Sequence, residues 1–271
     1  MHGPHIIIPT NYQKDAQELI IRPIGDIHLG NPGVDMQFLH SVIDEIKRTP
    51  EMYWIGVGDY VEMNGKANSH DGVFTDNLSP QEQLDLFIHL FEPIAHKCLA
   101  MITGNHDARV KKEMGIDPLL YPVTKLGLEN IYQTESAIVK LKFGKITKLG
   151  GRREPGGNKQ CCYDVFVSHG TSSTTVLSGK LAALEKTGDI VIADVYITGH
   201  THSPIIYKDR RYVSNTSDTK QVGYRDRLFV NTGSFLEYNG YALTTCLSPV
   251  APSCPYIYLD GTREKTKVMM S

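Results

Sequence analysis

Leu99-Ala100-Met101-Ile102-Thr103-Gly104-Asn105-His106-Asp107 is a short apolar run that breaks at a glycine into three polar residues. It reads as a strand with chemistry-bearing side chains at its carboxyl end. The same design recurs upstream. Residues 18–24 read as a strand that runs into Gly25-Asp26-Ile27-His28-Leu29-Gly30, and residues 52–57 as a strand that ends at Gly58-Asp59. Helices are expected between them. Over 35–48, Phe38, Leu39, Val42, Ile43 and Ile46 fall at helical spacing. A second helix opens at Ser79-Pro80-Gln81-Glu82, where Ser79 and Glu82 form a capping box and Pro80 suits the first turn. Its expected buried stripe is Leu84, Phe87, Ile88, Phe91, Ile94 and Ala95.

Downstream the chain is richer in strands. Ala137, Val139, Leu141 and Phe143 alternate with polar residues, the pattern of a half-buried strand. Residues 163–167 form a strand ending at Ser168-His169-Gly170, and a helix is expected over 174–186. Residues 190–197 lead into Gly199-His200-Thr201-His202, followed by short strand-like runs at 204–207, 211–213 and 228–231. The expected class is α/β (α+β) in one domain over 1–271. An exposed basic hairpin is placed at about 144–160 and a strand-rich extension after about 240. Polar residues at the carboxyl ends of strands converge on a site in such layered folds.

Composition narrows the classes. Of 271 residues, 41% are hydrophobic and 21% charged, with a net charge of −2, which argues against a wholly basic nucleic-acid binder. The five cysteines include no CxxC pair, so a structural zinc site is not expected and the thiols read as reduced and cytoplasmic. The first thirteen residues lack the charged start and apolar stretch of a signal peptide. No run approaches a membrane span.

Taken singly, Asp26-x-His28, Gly58-Asp59 and Ser168-His169-Gly170 are weak signals, since such residues often cap turns. Gly199-His200-Thr201-His202 is stronger, because histidine is the commonest metal ligand. All five polar motifs, each at a strand end, point to one metal site.

In this order the motifs resemble those of the calcineurin-like metallophosphoesterase superfamily: D-x-H, G-D, G-N-H-D/E, a later H, and G-H-x-H. The resemblance covers about residues 19–235. It implies a four-layer sandwich of two mixed β-sheets flanked by helices, of the metallo-dependent phosphatase type, with a dinuclear centre. Carried over by motif, Asp26, His28 and His202 bind one ion, Asn105, His169 and His200 the other, and Asp59 bridges both. His106 assists the leaving group. Asp107 either orients His106 or caps the helix that follows. Mixed carboxylate, amide and imidazole donors suit Mn²⁺, with Fe, Zn²⁺ or Ni²⁺ as alternatives. Two such ions about 3.5–4 Å apart generate a hydroxide that attacks phosphorus in line.

The protein Ser/Thr phosphatases of this superfamily carry G-D-x-V-D-R-G. Here the stretch is Gly58-Asp59-Tyr60-Val61-Glu62-Met63-Asn64, with Met63 where an arginine would grip a monoester. The remaining motifs look more like the DNA-repair nuclease branch and short bacterial or phage phosphoesterases. The expected function is therefore a phosphodiesterase acting on DNA, RNA or nucleotides. The alternatives are a small-molecule phosphomonoesterase or nucleotide hydrolase, and a catalytically silent binding subunit. Seven Lys/Arg face Glu154 alone between 140 and 159, and six face three Asp between 207 and 227. Such charge attracts phosphate backbones, although a solvated hairpin tip explains the first cluster equally. Arg109, His70, Arg152 and Arg153 are the candidate substrate-binding residues.

Overall fold

The computed structural model describes residues 5–64, 76–143, 161–172, 174–214, 222–238, 249–263 and 265–271. The chain builds two six-stranded mixed sheets. The first runs β1 (His5–Ile7), β6 (Ser136–Lys142), β7 (Cys162–Ser168), β8 (Val195–Thr198), β10 (Val222–Asn231), β9 (Ile205–Ser214) across its width. The second runs β12 (Thr266–Met269), β11 (Tyr256–Asp260), β2 (Glu18–Gly25), β3 (Met52–Gly58), β4 (Cys98–Ile102), β5 (Tyr132–Gln133). β2, β3 and β4 are parallel neighbours, as are β7, β8 and β10, so two sets of strand carboxyl ends are available to carry a site.

Side-chain alternation along the strands sets the layers. Leu19, Ile21, Tyr53, Ile55, Val57 and Leu99 face inward and meet Val139, Leu141, Val165, Val167, Val195 and Val230 of the other sheet. The opposite set, including Ile24, Met52, Trp54 and Met101, packs on α1 (Met36–Arg48) and α2 (Pro80–Phe91). On the far side Phe166, Tyr196 and Phe229 are covered by Leu184 of α5 (Leu177–Lys186). Helices, sheet, sheet and helix make the four layers.

Local chemistry fixes the helix ends. Asp35 accepts from the Phe38 amide at the start of α1, and Ser79 and Glu82 close the expected capping box on α2. The C-terminus of α1 is closed from outside, where Lys97 Nζ donates to the carbonyls of Ile46 and Thr49.

Several local expectations shift. The runs at 204–207 and 211–213 are one ten-residue strand, β9, paired residue for residue with β10 into a long hairpin. The strand expected over 190–197 starts only at Val195, after a 3₁₀ turn at Thr187–Asp189. α5 begins at Leu177, not at 174. Two short helices, α3 (Arg109–Met114) and α4 (Leu120–Leu126), fill a stretch that hydropathy left unassigned. On α2, Ile88 is half-buried, whereas Gln83 is wholly buried. Beyond residue 240 the described chain adds β11 and β12 to the second sheet. Arg22 ties β11 in: its guanidinium pairs with Glu45, donates to the Cys254 carbonyl at 3.0 Å and lies 3.8 Å over the Tyr256 ring. The basic segment 144–160 lies outside the described residues. Cys98, Cys162 and Cys254 form no disulfide among the described residues. No helix among the described residues is long and apolar enough to cross a membrane.

Candidate metal centre

Past the ends of β2 and β3 the two loops continue side by side. Asp26 N–H donates to the Gly58 carbonyl at 2.9 Å, and the amides of Ile27 and His28 both donate to the Asp59 carbonyl. In the other sheet the Gly199 amide donates to the His169 carbonyl at 3.0 Å. The halves are joined by Asp26, whose carboxylate oxygens accept the His200 amide at 3.0 and 2.9 Å. Asn231 Nδ2 donates to the Gly199 carbonyl at 2.7 Å, so the Asn231-Thr232-Gly233-Ser234 turn braces the same loop.

Among the described residues six non-glycine residues have left-handed backbones, and five are candidate ligands: Asp26 (φ 51°), His28 (58°), Asp59 (54°), His200 (68°) and His202 (51°). Each costs about 1–2 kcal/mol relative to an ordinary conformation. Strain of this kind persists where surrounding structure over-determines it, and it concentrates at functional sites. Crowding explains the adjoining glycines. A Cβ on Gly199 would overlap the Asp26 carboxylate, and one on Gly104 would overlap that of Asp59.

The donor atoms carried over by motif form two groups, and a third potential set joins His28, Glu62 and His106. In one, His28 Nε2 and His202 Nε2 lie 3.1 Å apart, and Asp26 Oδ1 is 3.3 Å from His202 Nε2. In the other, His169 Nε2 is 2.9 Å from Asn105 Oδ1 and 3.1 Å from Asp59 Oδ2, with His200 completing a potential ligand set. Asp59 Oδ2 is also 3.9 Å from His28 Nε2, which places this carboxylate between the groups, while its Oδ1 accepts the His106 amide at 2.8 Å. His169 Nδ1 donates to the Val57 carbonyl at 2.8 Å, which fixes the ring and turns Nε2 inward.

Electrostatics agree with this arrangement. Burial opposes ionisation of Asp59, but the charges of His169, His28 and His106 hold its carboxyl well below the usual range. Burial likewise disfavours charge on His169, yet Asp59 and Asp26 raise it to about 10. Asp26 is lowered by His202 and His169 against the effect of burial, and burial pushes His28 and His200 down. Asp26 and Asp59 are thus kept ionised by the histidines around them, and a divalent ion taking these donors would replace the proton on His169. Donor separations of about 3 Å are those of atoms sharing one ion at about 2.0–2.2 Å. Two facing imidazole nitrogens beside a carboxylate fit a divalent metal.

His106 lies at the edge of this centre, its ring 4.5 Å from that of His28 and perpendicular to it. Its carboxylate partner differs from the one expected. Asp107 is fully buried and accepts four backbone N–H groups, those of Asp59 (2.7 Å), Gly104 (2.9 Å), Tyr60 (3.0 Å) and Val61 (3.3 Å). It shapes the loop that carries Asp59. It does not cap α3, whose first turn follows Ala108 without a side-chain cap. Burial and the charge of Asp59 push Asp107 up to about 7, against the pull of those donors.

The carboxylate beside His106 is that of Glu62, which motif reading passed over. Glu62 Oε1 is 3.0 Å from His106 Nδ1, and its Oε2 is 3.1 Å from His28 Nδ1. Burial works against charge on both partners, but their pairing lowers Glu62 below the usual range and raises His106. Arg109 also belongs to this cluster, with Nη2 2.9 Å from His106 Nε2. Gln83 braces it from α2, accepting the Met63 amide at 3.0 Å and donating to Asp76 and the Leu78 carbonyl. His70, Arg152 and Arg153 lie outside the described residues.

A four-layer sandwich with carboxylate, amide and imidazole donors gathered at the carboxyl ends of both sheets is the architecture of a metal-dependent phosphoesterase. Residues 23–204, more than half of the chain, match the family model described as calcineurin-like phosphoesterase, and the chain belongs to that family. No curated protein sequence matches it. Among solved structures it is similar to Vps29 of Entamoeba histolytica complexed with Zn²⁺, at 13% identity and a TM-score of 0.40, covering 93% of this chain and 98% of that one. It is also similar to a metallophosphoesterase from Sphaerobacter thermophilus (14%, TM-score 0.39, 93% and 88% covered). A third is the calcineurin-like phosphoesterase YfkN from Bacillus subtilis (12%, TM-score 0.38, 94% and 90% covered).

Proposed function

We propose that this chain is a divalent-metal-dependent phosphodiesterase acting on nucleic acid or nucleotides. The observation that carries the reading is the convergence of the polar motifs on Asp59. In this reading Asp26, His28 and His202 hold one ion, Asn105, His169 and His200 the second, and Asp59 touches both. The ions, with Mn²⁺ the first candidate and Fe, Zn²⁺ or Ni²⁺ the others, supply charge at the phosphoryl oxygens and acidify water. His106 hydrogen-bonds the departing oxygen, and Glu62 holds its ring at Nδ1. Met63 supports a diester: it is buried where related protein phosphatases carry the arginine that grips a dianionic monoester.

A second reading, hydrolysis of a small phosphate ester or nucleotide, draws on the β9–β10 hairpin. Arg210 pairs with Asp226, Arg227 with Asp209, and Arg225 with Asp194. Much of the positive charge in 207–227 is thus neutralised within the protein, and less remains to attract a polynucleotide. The test is Mn²⁺-dependent turnover of bis-p-nitrophenyl phosphate beside the monoester, with single-stranded and duplex DNA in parallel and Asp59→Ala as control. Cleavage of diester and DNA, absent in the control, is expected. Turnover of the monoester alone would overturn the diester assignment, and a wild-type protein that folds yet binds no metal would favour a silent binding subunit.

A further inference from the structure

Arg109 begins α3, three residues after His106, and its guanidinium is held at one end only by uncharged acceptors at hydrogen-bond distance. Nη1 donates to the Glu62 carbonyl at 3.0 Å and to Asn64 Oδ1 at 2.8 Å, with Glu62 Oε1 farther away at 3.6 Å. Asn64 is itself fixed, since its Nδ2 donates to Asp76 Oδ1 at 2.7 Å, and Asp76 accepts from the buried Gln83. The anchor therefore reaches from α2 to α3 through side chains that are already ordered. The other end of the guanidinium points at the chemistry. Nη2 donates to His106 Nε2 at 2.9 Å, while Nδ1 of the same ring faces Glu62. Nε2 is thus the ring atom left to serve a leaving group, and in this state Arg109 covers it.

A guanidinium has donors only, and its fork matches the oxygens of a phosphate better than one imidazole nitrogen. Phosphoesters need a cation near the phosphoryl group, and Met63 cannot supply one. Its side chain lies in the core under α2, at the position where the protein phosphatases place an arginine. On the other side of the centre, Lys180 is engaged with the Thr201 carbonyl (3.1 Å) and Ser203 Oγ (2.6 Å), bracing the loop that carries His200 and His202.

We propose that Arg109 is the phosphoryl-binding arginine of this site and works by exchanging partners. In the free protein Nη2 rests on His106 Nε2. When substrate binds, Nη2 moves to a non-bridging phosphoryl oxygen, with Nη1 still on Glu62 and Asn64, and the uncovered Nε2 takes a proton from water that it can donate to the leaving oxygen. The proposal rests on the phosphoesterase reading given above.

The test uses the full chain loaded with Zn²⁺, with inorganic phosphate as probe. Calorimetry gives the phosphate affinity of wild type, Arg109→Ala and Arg109→Lys, and metal content is measured for each. Loss of one charge-assisted hydrogen bond should weaken phosphate binding by about tenfold or more in Arg109→Ala, at unchanged metal content. Arg109→Lys should recover part of it. In protein labelled with ¹⁵N-histidine, phosphate should shift the His106 Nε2 resonance of wild type far more than that of Arg109→Ala, where Nε2 is already uncovered. Unchanged phosphate affinity in both variants would overturn the proposal, as would a His106 resonance that phosphate leaves in place in wild type. These readouts do not need turnover. A protein that binds phosphate through Arg109 but cleaves only monoesters would sink the diester assignment and leave the role of Arg109 standing.

Discussion

Asp107 illustrates how one side chain fixes the geometry of its neighbours. Its two oxygens collect four amides from the loops after β3 and β4, so Asp59, Asn105 and His106 are presented together. An asparagine in its place would have the same shape but one acceptor oxygen, and its NH₂ would face backbone N–H groups. At a pH above about 7, where the Asp107 carboxyl is ionised, Asp107→Asn should therefore lose about 2–4 kcal/mol of stability, from two amides left unsatisfied at about 1–3 kcal/mol each with partial relaxation. Urea unfolding of the metal-free protein measures it, and a loss under about 1 kcal/mol, the low end of that range, would mean the loop is held by other means. The motifs that hold Asp26, His28, Asp59, Asn105, His106, His169, His200 and His202 stand out in the sequence because each follows an apolar run and contains a glycine. The role of Glu62 was not, since it depends on the loops after β2 and β3 lying side by side. A clue was present nonetheless, as the related G-D-x-V-D stretch carries an acid at the same place.

At the scale of elements, β9 and β10 show where periodicity misleads. The middle of β9, Lys208-Asp209-Arg210-Arg211, carries no apolar residue, so hydropathy splits it into two short runs. Cross-strand pairs hold it instead: Arg227 grips Asp209 through two nitrogens, and Arg210 both bonds Asp226 and lies 3.9 Å from the Tyr224 ring centre. The long alternating strands and the capped α1 and α2 were readable because their patterns are local; α3 and α4, six and seven residues long, bury too few side chains to leave one. Arg227 holds the Asp209 carboxyl below its usual range. A depressed native pKa contributes stability that is fully present above the unfolded value of 3.8 and is lost as pH falls through the native one. Asp209→Asn should thus destabilise by about 1–2 kcal/mol at neutral pH, and its difference from wild type should shrink as pH drops below about 4. Thermal unfolding between about pH 3 and 7 reads this directly. A difference that stays constant over that range would show that packing, not the ion pair, is responsible.

The whole molecule is two sheets with a shared inner core and one polar seam. Asp26, His28, Asp59 and Asn105 come from the second sheet, and His169, His200 and His202 from the first. Because each proposed ion takes donors from both sheets, metal should act as a further clamp between halves that also meet through the apolar core and the Asp26–His200 and His169–Val57 hydrogen bonds. The strained backbones at Asp26, His28, Asp59, His200 and His202 have the same implication, since ions bound there would offset a cost that the metal-free protein bears. Ligand that binds only the folded state adds RT ln(1 + [L]/Kd), about 2.7 kcal/mol at a hundredfold excess over Kd. For a chain of this size that is a rise of roughly 5–10 °C in Tm, at about 2–4 °C per kcal/mol. Scanning calorimetry with Mn²⁺ and with EDTA measures the shift. Asp59→Ala should abolish most of it, because Asp59 stands between both donor groups. His202→Ala, which removes one donor from one group, should leave a partial response. A full shift in Asp59→Ala would place the ions elsewhere, and equal losses in the two variants would mean that the two donor groups fill as one unit.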